Sequence, residues 1–487
     1  MQTVKECDVV VVGGGGAGLA AAAEAAGLGL NVVLLEKGPE LGGSTAWSLG
    51  AISANGTDLQ KRAGIEDHAD HHFVDLALHA GDLAPRDNLL LRRILVDECA
   101  DAVAWLSRLG IVFMGPAPDP PNRVSRMHNT IPNSRSLIYH LERHCRQLGV
   151  NICVNACCEK ILTDTHGSVV GMSGQIDGQS FHLTARKAVI LTTGDYSGAA
   201  DLKQRWADPQ TIHLDSVNPE ATGDGHRMAD ALRAEVVNGD IVRGPILRFI
   251  PPGKPHWVQN LPPWRWFALS MAWSIEHLPS NWIRPFMMKF MTTALGPSPT
   301  LLTEGAHLVN QKGELVEMTG KTIGHAVADH PGAQAWYVFD SQIYQRFSAW
   351  PYFISTAPGI AYAYMLDYEK NRRDLFHRSS DWHELALKAG IHPEGLKAHM
   401  GGRFKHKEGP FYALGPVKAY VVFTDGGLRV NPSHQVLGAD QTPIRGLYAA
   451  GSAGQGGLLL EGHGHHLAWA FVSGRRAARF AAAENHG

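Results

Sequence analysis

Cysteine is scarce in this chain, with six among 487 residues and no CxxC spacing. That excludes a zinc ribbon and a disulfide scaffold, and it suits a reducing compartment; the adjacent Cys157 and Cys158 do not alter this. An excess of charge is lacking too, since 44 Lys and Arg face 46 Asp and Glu for a net charge of −2. Such a balance leaves no electrostatic footprint for nucleic acid, and there is no polybasic arm or low-complexity tail. The first expected strand starts within about ten residues of Met1, which leaves no room for a secretory or twin-arginine signal and makes a cytoplasmic location the expectation. Long uncharged apolar runs are also missing. Even in the Trp-rich stretch 251–300, Arg265, Glu276, Arg284 and Lys289 break up any span of about eighteen residues. Apolar content is not short: at 44% hydrophobic the chain can build large cores, and its length implies more than one structural unit.

The most telling stretch that is present covers residues 7–36, CDVVVVGGGGAGLAAAAEAAGLGLNVVLLE, which reads as strand, glycine turn, helix, strand and acid. Val9 to Val12 form the β-branched run expected of a parallel strand buried on both faces. Gly13 permits the sharp turn, Gly15 leaves room for a pyrophosphate to approach the backbone, and Gly18 lets the helix pack close to the strands. The helix then aims unpaired N–H groups and a positive dipole end at the phosphates. Glu36 closes the second strand, where a carboxylate accepts from ribose hydroxyls and disfavours a 2′-phosphate.

Further along, residues 38–57 are rich in glycine and serine and read as loops crossing a ligand surface. Residues 87–109 and 134–148 read as amphipathic helices, the second capped by Ser134, and 150–193 reads as short strands ending before Gly194. The character changes near residue 243. Residues 251–300 hold Trp257, Trp264, Trp266, Trp273 and Trp282, five of twelve tryptophans. Three readings of that stretch stand open: core packing of a second unit, which is favoured; a lipophilic pocket; or a peripheral membrane contact through 257–291. After about residue 410 the α/β character returns. The expected fold class is therefore α/β, a Rossmann-like dinucleotide-binding domain over 1–243 and 409–487, which the resemblance given below makes an FAD-binding domain, with an inserted α+β cap, the substrate domain, over 244–408.

The order of several short motifs carries a resemblance to a family. GGST at 42–45, LTTGDYSG at 191–198, TGDG at 222–225, TEGAHLVNQKGEL at 303–315, GPFYA at 409–413, TDGGL at 424–428 and GLYAAGS at 446–452 follow the glycine turn with Glu36 and Lys37. Together they resemble the flavoproteins that include soluble fumarate reductases, succinate dehydrogenase flavoprotein subunits and 3-ketosteroid dehydrogenases, with the ketosteroid type taken as nearer. The resemblance implies FAD, and the absence of a second glycine fingerprint agrees, because nothing is left to hold a nicotinamide nucleotide. Electrons are then expected from an external donor or to an external acceptor. Carried over by position, the expected FAD contacts are Gly13, Gly15, Ala17, Gly18, Glu36, Lys37, Gly43, Ser44, Thr45, Gly50, Cys157, Thr193, Gly194, Asp224, Gly451, Ser452, His466 and Leu467. Covalent relatives hold a histidine in the 42–45 loop, and none is present here, so the resemblance implies noncovalent FAD.

The departures from the family narrow the substrate. Glu461 stands where dicarboxylate-reducing relatives have a carboxylate-clamping arginine, and Lys418, Tyr420 and Phe423 precede TDGG in place of a histidine pair. Around 316–325 no arginine occurs, although Lys321 lies close to the expected position. A glutamate beside a substrate carboxylate costs about 4 kcal/mol per charge pair near a partly screened surface. The expectation is hydride exchange with flavin N5 at a carbon–carbon bond beside the carbonyl of a hydrophobic, steroid-like or cyclic ketone. Proton transfer is expected from Tyr420 and Lys418, and carbonyl polarisation or proton uptake from Glu461 or His463. Beside an ammonium, the Tyr420 phenol is expected to have a lowered pKa. His463, His465 and His466 also invite a metal reading, but glycines and the flavin claim the same space, so structural or substrate-orienting roles are expected. A flavin oxidase or monooxygenase and an electron-transfer subunit are the alternatives.

Overall fold

The computed structural model describes residues 5–253, 260–357, 361–404 and 409–484. At its centre is an eight-stranded sheet. Glu6–Val12 lies between Val32–Leu35 and Gln179–Leu191, all parallel, as the buried β-branched run requires. Asn151–Cys153 adds outside Val32–Leu35, and Pro443–Ala449 adds parallel to Gln179–Leu191. The chain thus leaves this sheet and comes back to complete it. The C-terminal helix His465–Ala483 then packs along the first helix, Gly16–Gly27, over the same core.

Glycine chemistry sets this packing. A Cβ on Gly18 would sit 1.9 Å from the Gly13 carbonyl oxygen, so only hydrogen allows the helix this close to the strand end. Gly13 itself has φ +105, which brings the chain sharply out of the strand.

The second unit is built on a five-stranded sheet in which Phe411–Tyr420 pairs antiparallel with Ile246–Phe249, Gln334–Phe339 and Phe376–Ser379. Its own core includes Phe249, Leu308, Tyr337, Phe339 and Leu414. The expected return at 409 is therefore late by one strand: Phe411–Tyr420 belongs to the cap sheet, and the chain rejoins the first unit after Tyr420. The reason is pairing. The alternating apolar pattern of this strand fits a cap sheet with edges to fill as well as it fits the parallel sheet.

Other expectations also shift. Within 38–57 the chain forms a short helix, Gly43–Trp47, and a strand, Ala51–Ser53, in addition to loops. The helix Leu89–Leu109 forms as expected, capped by Asn88, whose Oδ1 accepts from Leu91 N at 3.2 Å. Arg135–Gln147 forms too, but Ser134 does not cap it. Its backbone is already helical and its hydroxyl donates to the Ala46 carbonyl, while Asn133 accepts from Arg135 N. The favoured core reading of the tryptophan stretch holds for Met288 and Met291, which are buried in the second core, and fails for the tryptophans: Trp264, Trp266, Trp273 and Trp282 are exposed, and Trp257 lies outside the described residues. No described helix is long and apolar enough to cross a membrane.

Candidate functional site

The carboxyl ends of the parallel strands open onto a cleft of about 900 Å³. Fourteen of the expected contacts line it: Gly13, Gly15, Ala17, Glu36, Lys37, Gly43, Ser44, Thr45, Cys157, Thr193, Gly194, Asp224, Gly451 and Ser452. The first and last parts of the sequence therefore meet in one cavity, at the place where open α/β sheets bind ligands.

The walls suit a dinucleotide. The helix Gly16–Gly27 has no acidic residue in its first turn; Thr45 Oγ1 accepts from Gly16 N at 3.2 Å, and the positive end of the helix otherwise faces the cleft. A Cβ on Gly15 would meet Gly42 O at 3.8 Å and Gly43 Cα at 4.0 Å, ordinary van der Waals contacts without a clash. Glu36 accepts from Gly14 N at 2.7 Å and from Gly38 N at 2.8 Å, which fixes its carboxylate at the edge of the cleft. Lys37 donates to Asp224 Oδ2 at 2.8 Å, closing the same wall. Thr193 lines the cleft, while its Oγ1 is buried against Gly225 without a hydrogen-bond partner among the described residues. Asn218, which the sequence reading missed, orients Ser44 by donating to its Oγ at 2.8 Å.

Four expected contacts lie elsewhere. Gly18 serves helix packing, as described above. Gly50 has φ +79 and would bring a Cβ to 1.9 Å from Thr130 Oγ1, so it serves the turn into Ala51–Ser53. His466 and Leu467 lie in the first turn of the C-terminal helix and are not in the cleft lining. His466 packs on Phe423 at 4.0 Å between ring centroids and stands 3.9 Å from Asp425. Its Nε2 is buried without a hydrogen bond, and burial depresses its pKa to about 3, so the ring is neutral.

A charged cluster forms where TDGGL meets the loop before that helix. Arg243 donates from Nε to Asp425 at 2.8 Å and from Nη1 to Glu461 at 2.8 Å. Gln455 adds a bond to Asp425 at 3.0 Å. Asp425 is fully buried, and burial raises its pKa against the pull of Arg243. Glu461 is half-exposed, so its carboxylate remains reachable from solvent space. The sequence reading named no partner for Glu461; Arg243, 218 positions away, neutralises one of the two acids. No local motif marks Arg243, which is why it was missed.

The loop 459–464 is tied down on its other side. His463 pairs through Nδ1 with Asp119 at 2.8 Å, and that bond raises the imidazole pKa while lowering that of the carboxyl. His465 donates Nδ1–H to the Glu461 carbonyl at 2.7 Å and meets His72 Nε2 at 3.1 Å. Both are buried, and burial lowers both pKa values. Among the described residues no group of three or more His, Cys, Asp and Glu side chains is arranged to hold a metal ion.

Tyr420 and Lys418 share one face of the cap strand, with the ammonium 5.8 Å from the phenol ring. Lys418 is engaged with Asp215 on an exposed face. Burial is the largest influence on Tyr420, so its pKa is raised. The expected lowering is corrected: the Asp215 carboxylate cancels much of the field of Lys418, and desolvation of the phenolate decides the sign. Lys321 pairs with Asp329 on the surface.

A family model described as an FAD binding domain matches residues 8–245 and 276–459. A probable fumarate reductase of Shewanella frigidimarina is 26% identical, over 91% of this chain and 69% of that protein. A vinyl phenol reductase of Lactiplantibacillus plantarum is 26% identical, over 98% of this chain and 97% of that protein. Among solved structures, the open conformation of a flavocytochrome c3 fumarate reductase has a TM-score of 0.75 at 23% identity, over 99% of this chain and 79% of that one. A 3-ketosteroid Δ1-dehydrogenase of Sterolibacterium denitrificans has a TM-score of 0.68 at 18% identity, over 99% and 100%. The ketosteroid type is thus a likeness of fold, while the likeness in sequence includes fumarate reductases, and the expected nearness to ketosteroid dehydrogenases has no support in sequence.

Proposed function

The chain belongs to the FAD binding domain family, and from that premise we propose that it is an FAD-dependent oxidoreductase that forms or consumes a carbon–carbon double bond beside the carbonyl of a hydrophobic substrate lacking carboxylates. The observation that carries this reading is the Arg243 cluster: the guanidinium is already shared between Asp425 and Glu461, so it is not free to clamp a carboxylate, and the three groups sum to one negative charge. A dicarboxylate brought beside them meets repulsion of about 4 kcal/mol per close charge pair. The full-length likeness to a vinyl phenol reductase supports a substrate without a carboxylate.

In this reading FAD is held noncovalently, since Gly42 to Thr45 include no histidine. The helix Gly16–Gly27 and Gly15 receive the pyrophosphate, Glu36 the ribose, and Ser44, Thr45 and Thr193 the flavin side. When bound, the flavin supplies hydride exchange with one carbon of the reacting bond. Glu461 exchanges the accompanying proton with the neighbouring carbon, giving it up in reduction and taking it in oxidation, so hydride and proton together account for the double bond gained or lost. Arg243 is a positioning residue that holds the Glu461 carboxylate at 2.8 Å. The tie between His463 and Asp119 fixes the loop that carries Glu461. An external protein or small molecule is the electron partner.

Arg248 favours a second reading, an acidic substrate held in the cap. This guanidinium lies opposite Lys418 in the cap sheet, burial lowers its pKa, and it has no carboxylate in ion-pair contact among the described residues. The test is Glu461→Gln. The first reading expects kcat to fall about a hundredfold or more with flavin content and KM retained. Unchanged turnover, or loss of flavin, overturns the role given to Glu461.

A further inference from the structure

We propose that the consecutive helices Arg265–His277 and Ser280–Ala294 seat the protein on the surface of an anionic phospholipid bilayer. The first helix inverts the usual amphipathic arrangement. Its outward stripe is Trp266, Leu269 and Trp273, at a spacing of three and four residues, while Ala268 is its one residue counted as buried, against Val112 and Ile131. Trp266 is 65% exposed and Trp273 57%. In the second helix Trp282 and Phe286, one turn apart, are 66% and 54% exposed. Large apolar side chains at this density on a surface mark an interaction site, and indole rings favour the boundary between hydrocarbon and water.

Two further observations select lipid. Residues 246–275, which hold all but the last two residues of the first helix, fall between the two stretches matched by the family model, so its sequence is not part of what that model describes. At the Trp264 end of that helix an open groove is lined by Lys61, Arg62, Arg108 and Arg265 against Asp58 and Asp101, an excess of two positive charges. Arg143 adds its field beside Arg265 at His140. Basic side chains next to an exposed tryptophan stripe match phosphate headgroups above an acyl layer. Since no described helix can cross a bilayer, the contact is interfacial.

The test uses the purified holoprotein with vesicles of phosphatidylcholine, alone or mixed with phosphatidylglycerol. The protein is expected to co-sediment with the mixed vesicles, and its tryptophan emission to shift to the blue and to be quenched by brominated acyl chains. Trp266→Gln with Trp273→Gln and Trp282→Gln is expected to lower partition about tenfold or more, with flavin content retained. Lys61→Glu with Arg108→Glu, which leaves the helices intact, is expected to remove the preference for phosphatidylglycerol. Failure to co-sediment overturns the proposal, as does equal partition of the tryptophan variant and the parent. A parent that sediments as a dimer, and a tryptophan variant that sediments as a monomer, would assign the patch to a second copy of the chain and overturn it as well.

Discussion

Gly15 shows how one hydrogen atom separates folding from binding. Its φ of −76° suits any residue and a Cβ there meets no clash, so Gly15→Val is expected to fold normally and to fill the place of the pyrophosphate. Flavin occupancy should fall at least about tenfold at unchanged thermal stability, read from the absorbance ratio of visible to ultraviolet bands. Gly18→Ala is the contrasting case, because its Cβ would collide with the Gly13 carbonyl and the fold itself would suffer. Arg243→Leu strands the buried Asp425 and is expected to cost about 3–5 kcal/mol in denaturant unfolding. Residues of the first kind were legible in the sequence, since the job of each glycine follows from its place in a strand–turn–helix. Arg243, Asp119 and His72 were not, because their partners lie hundreds of positions away and nothing local marks them.

At the scale of elements, pattern predicted type better than placement. The helix Leu89–Leu109 shows an apolar period and an Asn88 cap, and it forms where expected. That cap also donates from its Nδ2 to the Gly456 carbonyl at 2.9 Å, joining the helix to the glycine-rich stretch before Glu461. Asn88→Ala is expected to lose about 1 kcal/mol of stability and to speed amide exchange across 456–464, a coupling that a simple cap would not produce. Ser134 reads as a cap by residue type alone, yet its hydroxyl finds the Ala46 carbonyl of the short helix beside the cleft. The strand Phe411–Tyr420 and the helix Arg265–His277 went astray for related reasons. Alternation and apolar spacing define a buried or outward face without saying which sheet, core or solvent that face meets.

In the whole molecule, an inserted unit and a completed sheet bring residues 13–45 and 451–452 to one cleft, and burial near that cleft has a pH consequence. His226 is depressed to about 4, and His434, His465 and His466 to about 3, from an ordinary value of 6.5. These rings are neutral when folded and take up protons when unfolded below pH 6.5, so their contribution to stability is full above that pH and is lost as pH falls toward about 4 for His226 and about 3 for the other three. Each contributes a slope of about 1.4 kcal/mol per pH unit in that window. Calorimetry at pH 5 in buffers of different ionisation enthalpy should find an uptake on the order of four protons from these rings on unfolding. The central claim, a flavin site poised for carbon–carbon bonds in substrates without carboxylates, is tested most directly by reducing the holoprotein anaerobically and following reoxidation of its flavin absorbance with a cyclic enone, a vinyl phenol and fumarate. The account predicts rapid return of the oxidised spectrum with at least one of the first two and none with fumarate; reoxidation by fumarate, with or without the others, would contradict it.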